Sequence, residues 1–179
     1  AYSSNILSGT MTDSRDGQTY KTVAIGTQTW MTVNLNFETE NSYCYKDSAS
    51  YCSKYGRLYT WAAATTACPE GWHLPTKAEF ETLFTAVGSQ SPAGKVLKST
   101  SGWNSSGNGS DAFAFSALPA GRRSNNGIYN YEGNYAYFWS STEYNSINAY
   151  SMYLYYDYSA AYLDYNLKYY GFSVRCLKD

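Results

Sequence analysis

Three kinds of residue in this chain have types and spacings from which chemistry could be built: one histidine, four cysteines and a surplus of tyrosine. His73 stands in GWHLP with no serine or cysteine nucleophile pattern beside it. Nucleophilic catalysis needs a base next to its nucleophile, so a structural imidazole is the better expectation. The cysteines are Cys44, Cys52, Cys68 and Cys176, without a CxxC spacing, and with only one histidine they make a poor zinc site. Four cysteines allow three pairings. Spacing favours Cys44 with Cys52 and Cys68 with Cys176, the second closing a long loop worth about 4 to 5 kcal/mol if formed. Four buried free thiols in a reducing compartment are the alternative. Asn104, Asn108 and Asp111 offer the hard oxygens that Ca²⁺ takes, but a solvated Gly-rich loop with Asx turns accounts for them better. No catalytic residue, metal ligand or cofactor is therefore assigned.

Tyrosine is the larger signal. Of the 21 tyrosines, 14 lie between Asn125 and Tyr170. A tyrosine ring is large and apolar while its hydroxyl seeks water or a partner, so a dense set among Asn, Ser, Ala and Gly implies rings presented on a surface. Antibody paratopes share this composition, because tyrosine gives contact area at the entropic cost of two torsions. The expected ligand face comprises Ser151, Tyr153, Tyr155, Tyr158, Tyr162, Tyr165 and Tyr169, with Tyr129, Tyr131 and Tyr135 from an earlier loop. Arg122, and equally Arg123, stand at its entry as candidate anchors or as solvated charge. A period of two divides the centre: Tyr150, Met152, Leu154 and Tyr156 read as core, Ser151, Tyr153 and Tyr155 as display.

Composition limits the rest. Thirteen basic residues against 14 acidic ones give a net charge of -1, which offers no field for nucleic acid or anionic lipid. No apolar run approaches the ~18 residues of a membrane span, so no membrane insertion is expected. Beginning at Ala1, the chain reads as a mature form or as an excised part of something longer. At 179 residues it fits one domain.

The elements that must position these residues are partly legible. Residues 1–15 are polar and non-periodic and read as an arm, with the domain spanning 16–179. Tyr20 to Ile25 and Gln28 to Val33, split by Gly26-Thr27, predict a hairpin. Asn34 to Tyr55 reads as loop. Leu58 to Ala67 predicts a short helix with Leu58, Trp61, Ala62 and Thr65 on one face. Thr76 and Glu79 form a capping box, Phe80, Leu83, Phe84 and Val87 a helical stripe, and Gly88 a stop, which predicts a second helix from about Lys77 to Val87. Ser89 to Asp111 reads as loop and Phe113 to Leu118 as strand-like. GFSVRCL predicts a final half-buried strand, with Phe172, Val174 and Cys176 on one face and Ser173 and Arg175 on the other.

The segments CPEGWHLPTKAEFETL, FWSSTE and GFSVRCLKD, with DGQTYKTVAIGTQTWMTVNLN, YGRLYTWAAA and SDAFAFSALPAG, resemble the Fibrobacter succinogenes major paralogous domain family over nearly all of Asp16 to Asp179. The resemblance implies an α+β, C-type lectin-like fold: two helices, small antiparallel sheets and long irregular loops. Its formylglycine-generating relatives use reactive cysteines near the chain end, but only Cys176 lies there, so that activity is not carried over. The Glu-Pro-Asn type of triplet that calcium-dependent lectins carry beside their metal is absent.

Some members of this group are variable proteins of diversity-generating retroelements, which mutate adenines, typically in asparagine codons. The products include Tyr, Ser, Asp, Ala, Ile, Leu and Asn. Within residues 144–170 only Met152 and Lys168 fall outside that set, so a variable region of about 122–170 is expected. The unvaried frame would be Trp139, Glu143, Met152, Lys168 and the closing strand. The implied function is a non-enzymatic receptor-binding or adhesin domain acting on a surface protein or glycan of a target cell, from a bacterial surface or a bacteriophage virion. A carbohydrate-binding module of fixed specificity is the alternative.

Overall fold

The computed structural model describes residues 6–179. Residues 1–5 of the expected arm lie outside these. Further along that arm, Ser8–Thr12 form a strand, β1, instead of irregular chain. It is a polar edge strand exposed along almost its whole length, so burial left no period in its sequence. It pairs with β2 (Thr19–Ile25), which returns through Gly26, at φ 60°, into β3 (Gln28–Met31) as the hairpin signal predicts.

The chain continues through β4 (Ser42–Tyr43), α1 (Ala49–Tyr55), β5 (Leu58–Tyr59), α2 (Trp61–Ala67), β6 (Trp72–His73), α3 (Lys77–Ala86) and α4 (Gln90–Leu97). After a long irregular stretch come β7 (Arg122–Arg123), β8 (Tyr129–Asn130), β9 (Tyr135–Glu143), β10 (Asn148–Tyr155), β11 (Tyr162–Leu167) and β12 (Leu177–Lys178). Among the described residues the architecture is mixed α+β: four α-helices, a short 3-10 turn at Tyr45–Asp47 and several small antiparallel sheets. One sheet runs β1-β2-β3-β12-β6, another β11-β10-β9, and β4-β5 and β7-β8 are two-stranded ribbons.

Further expectations need correction. Ala49–Tyr55 is helix inside the segment read as loop; it is about two turns long, begins inside the loop closed by the Cys44–Cys52 disulfide, and is stopped by Gly56 at φ 71°. Gln90–Leu97 is also helix, despite a Pro and a Gly in QSPAGKVL, because Ala93, Gly94 and Leu97 bury against its neighbours. In α2 the buried residues are Ala64 and Ala67 while Ala62 and Thr65 are exposed, and Leu58 belongs to β5, so the anticipated face is wrong. Phe113 to Leu118 contributes a single bridge, Lys98 to Ala117, and no strand.

Helix α3 follows its sequence signals. Thr76 accepts from the Glu79 backbone N–H, the Glu79 carboxylate accepts from the Thr76 N–H, and Phe80, Leu83 and Phe84 are buried. Each such large side chain stabilises by about 2 to 3 kcal/mol.

Two apolar clusters lie on either side of the β9–β11 sheet. Phe138, Met152 and Leu154 join Trp30, Phe80, Leu83, Leu97 and Phe115 on one side. Trp139 and Ala149 join Met31, Leu35, Tyr59, Ala64, Phe172 and Val174 on the other. Disulfides link Cys44 to Cys52 and Cys68 to Cys176, with Cα separations of 4.9 and 5.9 Å that suit the bond.

The closing segment is not half-buried. Ser173 and Arg175 are as deeply buried as Phe172 and Val174, because both sides of the segment are packed. Arg175 donates to Asn34 Oδ1 at 2.6 Å and to the carbonyls of Phe115, Ser116 and Met31 at 2.5, 3.0 and 3.2 Å. Burial lowers its pKa to about 9, so it remains a cation at neutral pH. Regular strand is confined to Leu177–Lys178, which pairs with Trp30 of β3 and with His73 and Trp72 of β6.

Candidate binding face

Antiparallel register decides which tyrosines meet. On β10 the residues Tyr153 and Tyr155 share a face, and across the ladder stand Tyr162 of β11 and Tyr137 and Tyr135 of β9. Tyr153 stacks on Tyr162 at 5.3 Å, Tyr135 lies 4.5 Å from Tyr155, and Tyr158 reaches Tyr155 at 4.8 Å and Tyr162 at 5.5 Å. Tyr131 packs 5.1 Å from Tyr135, and the Arg122 guanidinium lies 4.8 Å from the centre of the Tyr131 ring and 4.7 Å from that of Tyr170. The result is one continuous aromatic face: Arg122, Tyr131, Tyr135, Tyr153, Tyr155, Tyr158 and Tyr162.

Its members are half-buried or exposed, with Tyr131 and Tyr158 outermost. Buried tyrosines elsewhere in the chain have partners for their hydroxyls: Tyr20 accepts from the Asn36 N–H, Tyr59 donates to the Phe37 carbonyl and Tyr55 to Glu132. Burial raises the pKa of Tyr135 and Tyr153. Rings of this kind offer apolar area and an unspent hydroxyl at the same position.

Four anticipated members stand elsewhere. Ser151 is wholly buried and bonds Asn166 Oδ1 at 2.9 Å; the second apolar cluster covers the lower part of the face through Trp139, Ala149 and Trp61, so strand parity alone misplaced it. Tyr129 donates to Asp47 at 2.7 Å and packs 5.3 Å from Tyr45. Burial and the Asp47 carboxylate push its pKa up to about 12. Its neighbour across the ribbon is Arg123, which covers Tyr43 at 3.9 Å, so the two arginines diverge and only Arg122 joins the face. Tyr165 pairs with Tyr150, on the opposite side of the sheet from Tyr153, and stacks on Tyr144 at 3.9 Å. Tyr169 lines a separate cleft of about 360 Å³ with Trp61, Ile147, Lys168, Asn41, Thr60 and Ser146.

Tyr137 and Tyr170 belong with the face although the sequence did not single them out. Tyr137 is 7% exposed and stacks between Phe172, at 4.6 Å, and Tyr135, at 5.1 Å, forming the floor. Its place two residues after Tyr135 on a strand was the available signal.

The other candidate groups are structural. His73 bridges Asp179 at 2.6 Å and Glu79 at 2.9 Å. Asp111 holds the Ser116 N–H at 2.7 Å and its hydroxyl at 2.6 Å, Asn108 accepts from the Trp103 N–H at 3.0 Å, and Asn104 reaches Asn134 at 3.0 Å. Asn108 and Asp111 fasten their own segment, and Asn104 ties it to the stretch before β9.

Compared with known proteins, residues 23–178 match the family model described as the Fibrobacter succinogenes major domain. No curated protein and no solved structure matches the chain.

Proposed function

Since the chain belongs to the Fibrobacter succinogenes major domain family, we propose that it is a non-enzymatic ligand-binding domain whose tyrosine face contacts a surface protein or glycan of a target cell. The observation that carries this reading is the unbroken contact of seven side chains from Arg122 to Tyr162, with ring centroids 4.5 to 5.5 Å apart along the path Tyr131, Tyr135, Tyr155, Tyr158, Tyr162, Tyr153. Tyrosine and arginine are the residues that dominate interface energetics, burying their planes while neighbours complete hydrogen bonds. All four cysteines are engaged in disulfides, which leaves thiol chemistry of the formylglycine-generating type without a nucleophile and supports a binding role.

The finer reading is a C-type lectin-like domain of a retroelement-diversified protein, displayed extracellularly on a bacterium or a bacteriophage. Support comes from residue types: within 144–170 only Met152 and Lys168 lie outside the adenine-mutation set. Met152 is fully buried and Lys168 is ion-paired to Glu143 at 2.9 Å, so both stand where a frame would be held constant. Sequencing the encoding locus tests this directly. A reverse transcriptase gene and an imperfect repeat differing at adenines are expected, and a locus with neither rejects diversification.

A fixed-specificity carbohydrate module is the second reading, favoured by one observation. The cleft beside Tyr169 joins two aromatic rings to the polar groups of Asn41, Thr60 and Ser146, the mixture that small polar ligands use. Screening the intact chain against bacterial surface proteins and glycans separates the two. Loss of binding in Tyr155→Ala with Tyr158→Ala, and not in Tyr169→Ala, is the outcome the face requires; the reverse transfers the function to the cleft.

A further inference from the structure

Lys98, just past the end of α4, is 3% exposed and has no carboxylate partner among the described residues. Its ammonium instead donates to three main-chain carbonyls, those of Tyr155 at 2.9 Å, Tyr156 at 3.2 Å and Tyr158 at 2.9 Å. Three donors meet three acceptors, so the group is fully satisfied without a counter-charge. These carbonyls belong to the last residue of β10 and to the turn between β10 and β11, which together carry the outer tyrosines of the face. We propose that Lys98 is the positioning residue of that turn, fixing its backbone from beneath whatever side chains the turn displays. The proposal rests on the face being the binding surface, and it names what holds the face in shape.

Further contacts make the platform continuous. The Lys95 N–H donates to the Ser159 carbonyl at 2.9 Å, the Ala161 N–H to the Gln90 carbonyl at 3.1 Å, and the Tyr156 N–H to the Asn134 carbonyl at 2.9 Å. Two glycines are required by close approach. A Cβ on Gly94 would stand 2.3 Å from the Ala160 carbonyl oxygen, and one on Gly107 2.6 Å from that of Tyr156. None of these interactions uses a tyrosine side chain. Burial, with the charge of Lys95, lowers the Lys98 pKa to about 8, opposed by Asp157, so the full set of three donors is present at neutral pH.

Amide hydrogen exchange on the intact protein tests this without a ligand. In Lys98→Met, which keeps the aliphatic stem, the hydrogen-bonded amides of Tyr156 and Tyr158 are expected to exchange about tenfold faster while those of α3 and β2 keep their protection. Unchanged exchange in the turn overturns the proposal, and a uniform rise everywhere assigns Lys98 a general stabilising role instead. The complementary variant replaces Tyr155, Tyr156 and Tyr158 by Ser with Lys98 intact. Protection of the amides at positions 156 and 158 within about twofold of the parent is expected, and its loss means that the rings and not Lys98 hold the turn. Should the turn respond to Lys98→Met while ligand capture ignores Tyr155→Ala and Tyr158→Ala, the binding reading fails and the anchoring role stands.

Discussion

Tyr153 and Tyr162 face each other across β10 and β11, with their rings stacked 5.3 Å apart. One pair along the same side of the ladder, Ser151 is wholly buried opposite Asp164. The boundary between display and core therefore falls between two residues that strand parity cannot distinguish.

Substitutions on either side of that boundary should separate. Tyr155→Ala and Tyr158→Ala, at the outer rim, are expected to cost about 1 kcal/mol or less, a Tm shift under about 4 °C for a chain of this size. Ser151→Tyr overpacks a closed site and breaks the bond to Asn166, costing about 3 kcal/mol or more. Thermal melts of the three variants check this, and similar shifts for all would place the boundary elsewhere.

Removing the long-range disulfide should be the costlier of the two cysteine changes. Cys68→Ser with Cys176→Ser frees a 108-residue separation, worth about 4 to 5 kcal/mol in the chain-entropy model, against about 2 to 3 kcal/mol for the eight-residue Cys44–Cys52 separation. Denaturant titration measures both. Equal losses would mean that strain or residual unfolded structure, and not loop closure, sets the effect.

Arg175→Met is expected to destabilise by at least about 3 kcal/mol, because it leaves Asn34 and three buried carbonyls without their donor. An apolar group of similar length fills the space but satisfies none of them. A midpoint within about 1 kcal/mol of the parent would show that these acceptors find other partners.

His73 supplies a pH dependence. Burial lowers its pKa, but hydrogen bonds to Asp179 and Glu79 outweigh that and raise it above the usual histidine value of about 6.5. The folded chain thus holds the imidazole proton more tightly than the unfolded one, so the tie contributes in full below about pH 6.5 and is lost as pH rises through the higher folded value. Melting temperatures across about pH 5.5 to 8.5 should carry a downward component that His73→Gln removes. A profile identical in the variant would assign the slope to other groups. The side chain is 37% exposed, so the component is small.

How much of this was readable before the structure depends on where each signal resided. Thr76, Glu79 and the Phe80 stripe are local, and α3 follows from them. The hairpin about Gly26 is equally local. Helix α4 is not, since QSPAGKVL has weak helical propensity and folds because Ala93, Gly94 and Leu97 find a surface. In the face, Tyr153, Tyr155 and Tyr158 were legible from composition and period. Tyr129 and Tyr165 were misplaced because a ribbon sends Arg122 and Arg123 opposite ways and a ladder sends Tyr150 and Tyr165 to the far side. Lys98 gave no sign at all: its acceptors are main-chain carbonyls nearly 60 residues away.

The two apolar clusters that enclose β10 have a practical corollary for anyone building a randomised library on this scaffold. Its burial pattern closes four of the eight strand positions, Ala149, Ser151, Met152 and Leu154. Diversity placed there would be spent on molecules that do not fold. The usable repertoire is concentrated at Tyr153, Tyr155 and the turn beyond them, where the number of distinct surfaces grows with each position while the number of failed chains does not.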